Sequence, residues 1–192
     1  MVIRVKLSSL AAAALAAALV AAASVLAFSY LTGLFVWAAF IGWASYDHSG
    51  ASPQAAVRSS AALVFGVVMA WMVAIVVTTD ALPLTLPSAT AIGAGMASFL
   101  IVIASRVSYL SVVPAMFYGF ASTFACLSLA PGAFTIGAMI TPSWRNALLS
   151  VPLSLRIGTG LGIVHGWLAK VFAAGGTDGT PRRALSLAGI AR

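Results

Sequence analysis

Six long apolar stretches run along the chain, each broken by a short polar or glycine- and proline-containing interval. They predict helices over roughly residues 8–29, 31–47, 53–78, 84–105, 108–128 and 151–172. The second stretch is near the minimum length for a full membrane span and lies between Gly33 and the polar run Asp47-His48-Ser49-Gly50. Ser52-Pro53 supplies a capping hydroxyl and then proline at the first helical position, where a missing N–H costs nothing. Ser150, Val151 and Pro152 predict the same start for the last helix. Pro83 and Pro87 predict an irregular entry to the fourth. Between Pro131 and Ala147, two prolines, two glycines, Trp144 and Arg145 break the pattern too often for a span, so a loop with a short interfacial or re-entrant piece is expected. Residues 173–192 are polar and basic with no core-forming period, and read as a disordered cytoplasmic tail after a single membrane domain over residues 1–172.

The pattern also repeats. Ala38, Phe40, Gly42, Ala44 and Ser45 match Ala115, Phe117, Gly119, Ala121 and Ser122 at one constant offset. Each copy is followed by an echo, Gly66-Val-Val-Met-Ala-Trp71 and Gly162-Ile-Val-His-Gly-Trp167. A duplicated unit in so apolar a chain belongs with channel and transporter architectures, whose sites form between repeats.

Composition fixes the solvent. Hydrophobic residues make up 62% of the 192 positions and charged residues only 7%, far below the quarter typical of soluble domains. Lipid is therefore the expected surroundings. A net charge of +7 raises nucleic acid as a partner, but the basic residues stand at segment ends, as membrane topology requires. The apolar run from Leu10 to Phe28 after Arg4 and Lys6 is longer than a signal peptide's core, and reads as an uncleaved first span.

With the N-terminus in the cytoplasm, Arg4, Lys6, Arg58, Arg106, Lys170, Arg182, Arg183 and Arg192 fall on that side, against Arg145 and Arg156 on the other. This bias predicts six spans with both termini cytoplasmic. Three spans per repeat is odd, so the copies, over about 8–78 and 84–172, would face opposite ways. The expected fold is an all-α integral membrane protein of six transmembrane helices in two inverted three-helix repeats.

On that fold the paired motifs are the candidate pore or solute site: Phe40, Gly42, Ser45, Phe117, Gly119 and Ser122. Phenylalanine offers a flat wall, serine a hydroxyl, and glycine close backbone approach. The competing use of the same residues is tight helix packing, with Phe facing lipid. Gly158, Gly162 and Gly166 form a small-residue stripe on the last helix, matched by Ala62, Gly66 and Ala70 on the third. Contact between those two helices is expected, with a homo-oligomer contact as the rival. His165 lies inside the last helix, either to bond a solute or to bond a backbone carbonyl in a helix contact. Arg58 and Arg156 read as interfacial anchors. Cys126 reads as a small buried hydrophobe.

Nothing in the sequence carries catalysis. There is no phosphate-binding lysine loop, metal-ligand spacing or nucleophile elbow, and none of Asp47, Asp80 and Asp178 lies well inside a span. Enzyme activity, a cofactor, a metal and nucleic-acid binding are not expected, and pumping is excluded from the reading.

The stretch from Leu34 through Trp37, Phe40, Gly42 and Ser45 to Tyr46 resembles the core of the YcdZ-like bacterial inner-membrane proteins, small polytopic proteins with no assigned function. That resemblance implies the bacterial inner membrane. More loosely, Leu82-Pro-Leu-Thr-Leu-Pro87 is similar to the Leu-Pro-rich turns of urea channels, without the aromatic residue those channels place after the second proline. The leading expectation is a passive channel or facilitator for a small neutral or weakly charged solute, such as an amide, a weak acid or a dissolved gas. The alternative is a non-transporting membrane module that binds a protein or lipid partner. A polar-lined cavity reaching both motifs favours the first, and a dry, filled centre the second.

Overall fold

Residues 8–79 and 83–174 are described by a computed structural model of the chain. The basic residues Arg4 and Lys6, the carboxylate Asp80 and the tail from residue 175 onward lie outside the described residues. Among those described, the chain forms seven α-helices and one 3₁₀ turn, and no strand.

Helix α1 (Ser9–Phe28) starts on Ser8, whose hydroxyl accepts the Ala11 amide at 3.1 Å. It buries a narrow stripe of mostly small residues, Ala12, Ala16, Val20 and Ser24, and turns Leu10, Leu15, Leu19 and Leu26 outward. Helix α2 (Val36–His48) begins five residues later than expected. Gly33 sits at φ +82°, in the left-handed region, and Phe35 is extended, so the chain turns before it coils. At 13 residues, α2 is only about 20 Å long. Helix α3 (Pro53–Thr78) starts where the Ser-Pro pair places it, with the Ala55 amide on Ser52 Oγ at 3.1 Å. Helix α4 (Leu86–Ala104) takes Pro87 into its first turn.

Two further boundaries differ from expectation. Ser108–Leu110 forms the 3₁₀ turn, and α5 (Val113–Leu129) starts only at Pro114's first-turn position. After the short α6 (Ile136–Ile140), helix α7 (Ala147–Ala174) begins upstream of Pro152 rather than at it. Asn146 is the reason: its side-chain oxygen accepts the Leu148 amide at 2.9 Å, which caps the helix. Pro152 then sits inside α7, where the Leu148 carbonyl loses its usual helical donor.

Helices α1, α3, α4 and α7 are long and apolar enough to cross a membrane, and α5 is a shorter apolar helix. Large apolar side chains cover the outside, among them Met96, Phe99 and Leu100 on α4 and Leu149, Leu153 and Ile163 on α7. Inside, α2, α3, α5 and α7 make the core, with Leu63, Val67, Met116, Val151 and Leu155 fully buried. The closest pairings are α3 with α5 and α2 with α7; α1 packs on α7, and α4 on α3.

Candidate functional site

The two Phe-x-Gly-x-Ala-Ser segments lie on α2 and α5, and their glycines decide how those helices sit. A Cβ added to Gly42 would collide with the Leu155 carbonyl, and one added to Gly158 with the Ala39 carbonyl. The same reciprocal contact joins α5 to α3: a Cβ at Gly119 would strike the Leu63 carbonyl, and one at Gly66 the Met116 carbonyl. Backbone therefore fills the space that each missing side chain leaves.

This geometry sets the register between the copies. Gly42 corresponds to Gly119, as the motifs indicate. On the partner helices, Leu63 and Gly66 correspond to Leu155 and Gly158, one helical turn before the Gly162 that the sequence echo aligns with Gly66. Gly66 thus serves the α3–α5 seam and Gly158 and Gly162 the α2–α7 seam, while α3 and α7 also pack directly on each other, as expected. Ala62 and Ala70 are fully buried along α3. Gly162 faces the rings of Tyr46 and Trp43, and Gly166 faces open space.

The serines expose an asymmetry. Ser45 Oγ and Ser59 Oγ, both buried, share a hydrogen bond of 2.7 Å. Ser122 occupies the corresponding place in the second copy, but the register puts Val151 where Ser59 stands in the first. Ser122 Oγ is buried without a hydrogen-bond partner among the described residues, on a side chain only 1% exposed. An unpaired hydroxyl of this kind is costly.

Phe40 is half-buried beside Trp43, with ring centroids 6.3 Å apart. Phe117 is half-buried against the core. Among the described residues no ring contact joins Phe40 to Phe117. His165 Nε2 donates to the Ala13 carbonyl at 3.3 Å, and the imidazole lies 5.0 Å from the Trp43 ring, so it ties α7 to both α1 and α2. Asp47 and His48 are exposed at the end of α2, where the Tyr118 hydroxyl lies 3.4 Å from His48 Nδ1. Among the described residues no three His, Cys, Asp or Glu side chains come together to hold a metal ion.

Concave surface lies elsewhere. A groove of about 700 Å³ runs along α3 and is closed at one side by Arg156. It meets a second groove, of about 430 Å³, at Val57, where Gln54, Arg58 and Tyr109 gather. A third hollow, of about 330 Å³, lies under Trp144 and Arg145 and reaches Cys126. None of these is lined by the paired Phe, Gly and Ser residues.

Sequence reasoning missed Asn146. Only 5% exposed, it donates from Nδ2 to the Met139 carbonyl at 2.6 Å and to the Thr141 carbonyl at 3.1 Å while capping α7. The Trp71 indole donates to the same Met139 carbonyl at 3.1 Å. Those bonds hold the end of α6 against α3 and tie it to the start of α7. The readable signal was an asparagine directly before an apolar run, a standard helix start.

Apolar helices of membrane length, with their large side chains turned outward, define an all-helical membrane protein. The chain belongs to the family described as "Protein of unknown function (DUF1097)", which it matches over residues 14–170. No curated protein and no solved structure matches it.

Proposed function

We propose that the chain is a six-span membrane protein of two inverted three-helix repeats that works as a non-transporting module, presenting its outer grooves to a membrane partner. The observation that carries this reading is the filling of all four seam glycines, Gly42, Gly66, Gly119 and Gly158, by backbone from a neighbouring helix. A solute path through the paired motifs would need that space. The inverted repeat is supported by the helix contacts: exchanging α1 with α4, α2 with α5 and α3 with α7 carries the α1–α7 contact onto α4–α3 and the α2–α7 contact onto α5–α3. The likeness of Leu34–Tyr46 to YcdZ-like proteins supports a place in the bacterial inner membrane, with both termini cytoplasmic by the distribution of basic residues.

A passive channel is the second reading, and Ser122 favours it. Its unpaired hydroxyl, at the end of the second motif, is a group that a passing solute would satisfy.

Liposome flux decides between the two. Purified protein should carry amides, weak acids and small polyols no faster than protein-free liposomes. Protein-dependent flux that rises on Phe40→Ala or Phe117→Ala would overturn the module reading and establish the channel.

A further inference from the structure

Arg156 is exposed on α7, between Leu155 and Ile157 and ten residues into the helix. Among the described residues it makes no ion pair, and the only described carboxylate, Asp47, lies at the end of α2. A lone guanidinium on a membrane helix normally marks a functional contact, and its partner has to be supplied. Here this chain does not supply one from the described residues.

The surroundings say what kind of partner fits. Arg156 closes a groove whose wall runs along α3 from Ala56 to Val68, about 18 Å of helix. That wall is apolar through Ala61, Val64 and Phe65, with Ser60 as its one hydroxyl. At Val57 the trough continues into the second groove, which holds Arg58, Gln54, Ser108 and Tyr109. The combined surface has two guanidinium groups, several neutral donors, a long greasy wall and no acid. A soluble anion would satisfy the arginines and leave the wall uncovered. A second copy meeting this groove across a two-fold axis would bring another Arg156 rather than a carboxylate. An anion that carries its own acyl chain matches both parts, and arginine's planar fork suits a phosphate.

We propose that this trough along α3 is a binding site for an anionic phospholipid, with phosphate held by the arginines and an acyl chain along Ala61, Val64 and Phe65. The site goes beyond the module reading above by naming a ligand class, and it is carried by the two grooves themselves.

The test uses the full chain in neutral detergent, with phosphatidylglycerol and phosphatidylcholine as probes, read by native mass spectrometry and by thermal unfolding. Phosphatidylglycerol should be retained preferentially and should raise the unfolding temperature. Arg156→Gln should weaken its binding about tenfold or more, Arg156→Lys should lose less, and Arg145→Gln, outside the trough, should change nothing. Ala61→Trp, which fills the trough and leaves both arginines in place, should also abolish retention; it keeps the test decisive if the Arg156 variants do not fold. Equal retention of the two lipids by the parent would overturn the site. So would unchanged selectivity in the Arg156→Gln and Ala61→Trp variants, or a preference for oleate over phosphatidylglycerol. Solute flux, measured separately, bears on the module reading alone: flux with lipid selectivity intact would remove that reading and leave the site standing.

Discussion

At the scale of single residues, the seam glycines and the two serines behave differently from their neighbours. Gly66 and Gly158 each face a carbonyl of the next helix, a rigid group that cannot rotate away. Gly66→Leu or Gly158→Leu should therefore cost about 3 kcal/mol or more, the range of severe overpacking. Gly166→Leu adds bulk in open space and should change stability by less than about 0.5 kcal/mol. Thermal unfolding of the three variants in detergent checks the contrast, since equal effects would place all three on one kind of surface. The serines should diverge in sign. Ser122→Ala removes a buried hydroxyl with no partner and should stabilise by about 1 kcal/mol. Ser45→Ala orphans Ser59 and should destabilise by about 1–2 kcal/mol. Destabilisation of similar size in both would mean that Ser122 has a partner in the membrane.

At the scale of elements, α7 depends on what precedes it. Asn146 joins the end of α6 to the start of α7 with three hydrogen bonds from one side chain. Asn146→Ala leaves the Leu148 amide without its acceptor and the Thr141 carbonyl without this donor, while the Met139 carbonyl keeps the Trp71 indole, and should cost about 2 kcal/mol. The same substitution should open residues 131–146 to limited proteolysis; an unchanged digestion pattern would show that the Trp71 bond to Met139 suffices to hold the segment. The elements also show what the sequence could and could not reveal. Hydrophobic runs and the Ser52-Pro53 signal placed α3 correctly, because helix starts and apolar period are local properties. Pro152 did not mark the start of α7, because the Asn146 cap begins the helix upstream and the helix continues through Pro152 with the Leu148 bond lost. The alignment of Gly66 with Gly162 failed for another reason. In a stripe with glycine at every fourth position, only the partner helix picks the register, and the partner is not written in the stripe. The absence of a partner for Ser122 follows from that register, while the Ser45–Ser59 bond and the α3 trough come from helix packing that no local pattern writes.

At the scale of the whole molecule, one relation joins these details. If the halves are inverted copies, α2 and α5 cross the bilayer in opposite directions, and the turns that end them lie on opposite faces. Single cysteines in a Cys126→Ala background test this most directly, labelled in intact cells with a membrane-impermeant thiol reagent. Ser29→Cys follows α1 and Thr141→Cys follows α6, whereas Gln54→Cys opens α3 and Ser108→Cys lies between α4 and α5; all four positions are exposed. The inverted repeat predicts that Ser29→Cys and Thr141→Cys label from outside, while Gln54→Cys and Ser108→Cys label only after the cells are opened. Labelling of Gln54→Cys and Thr141→Cys from the same side would contradict it.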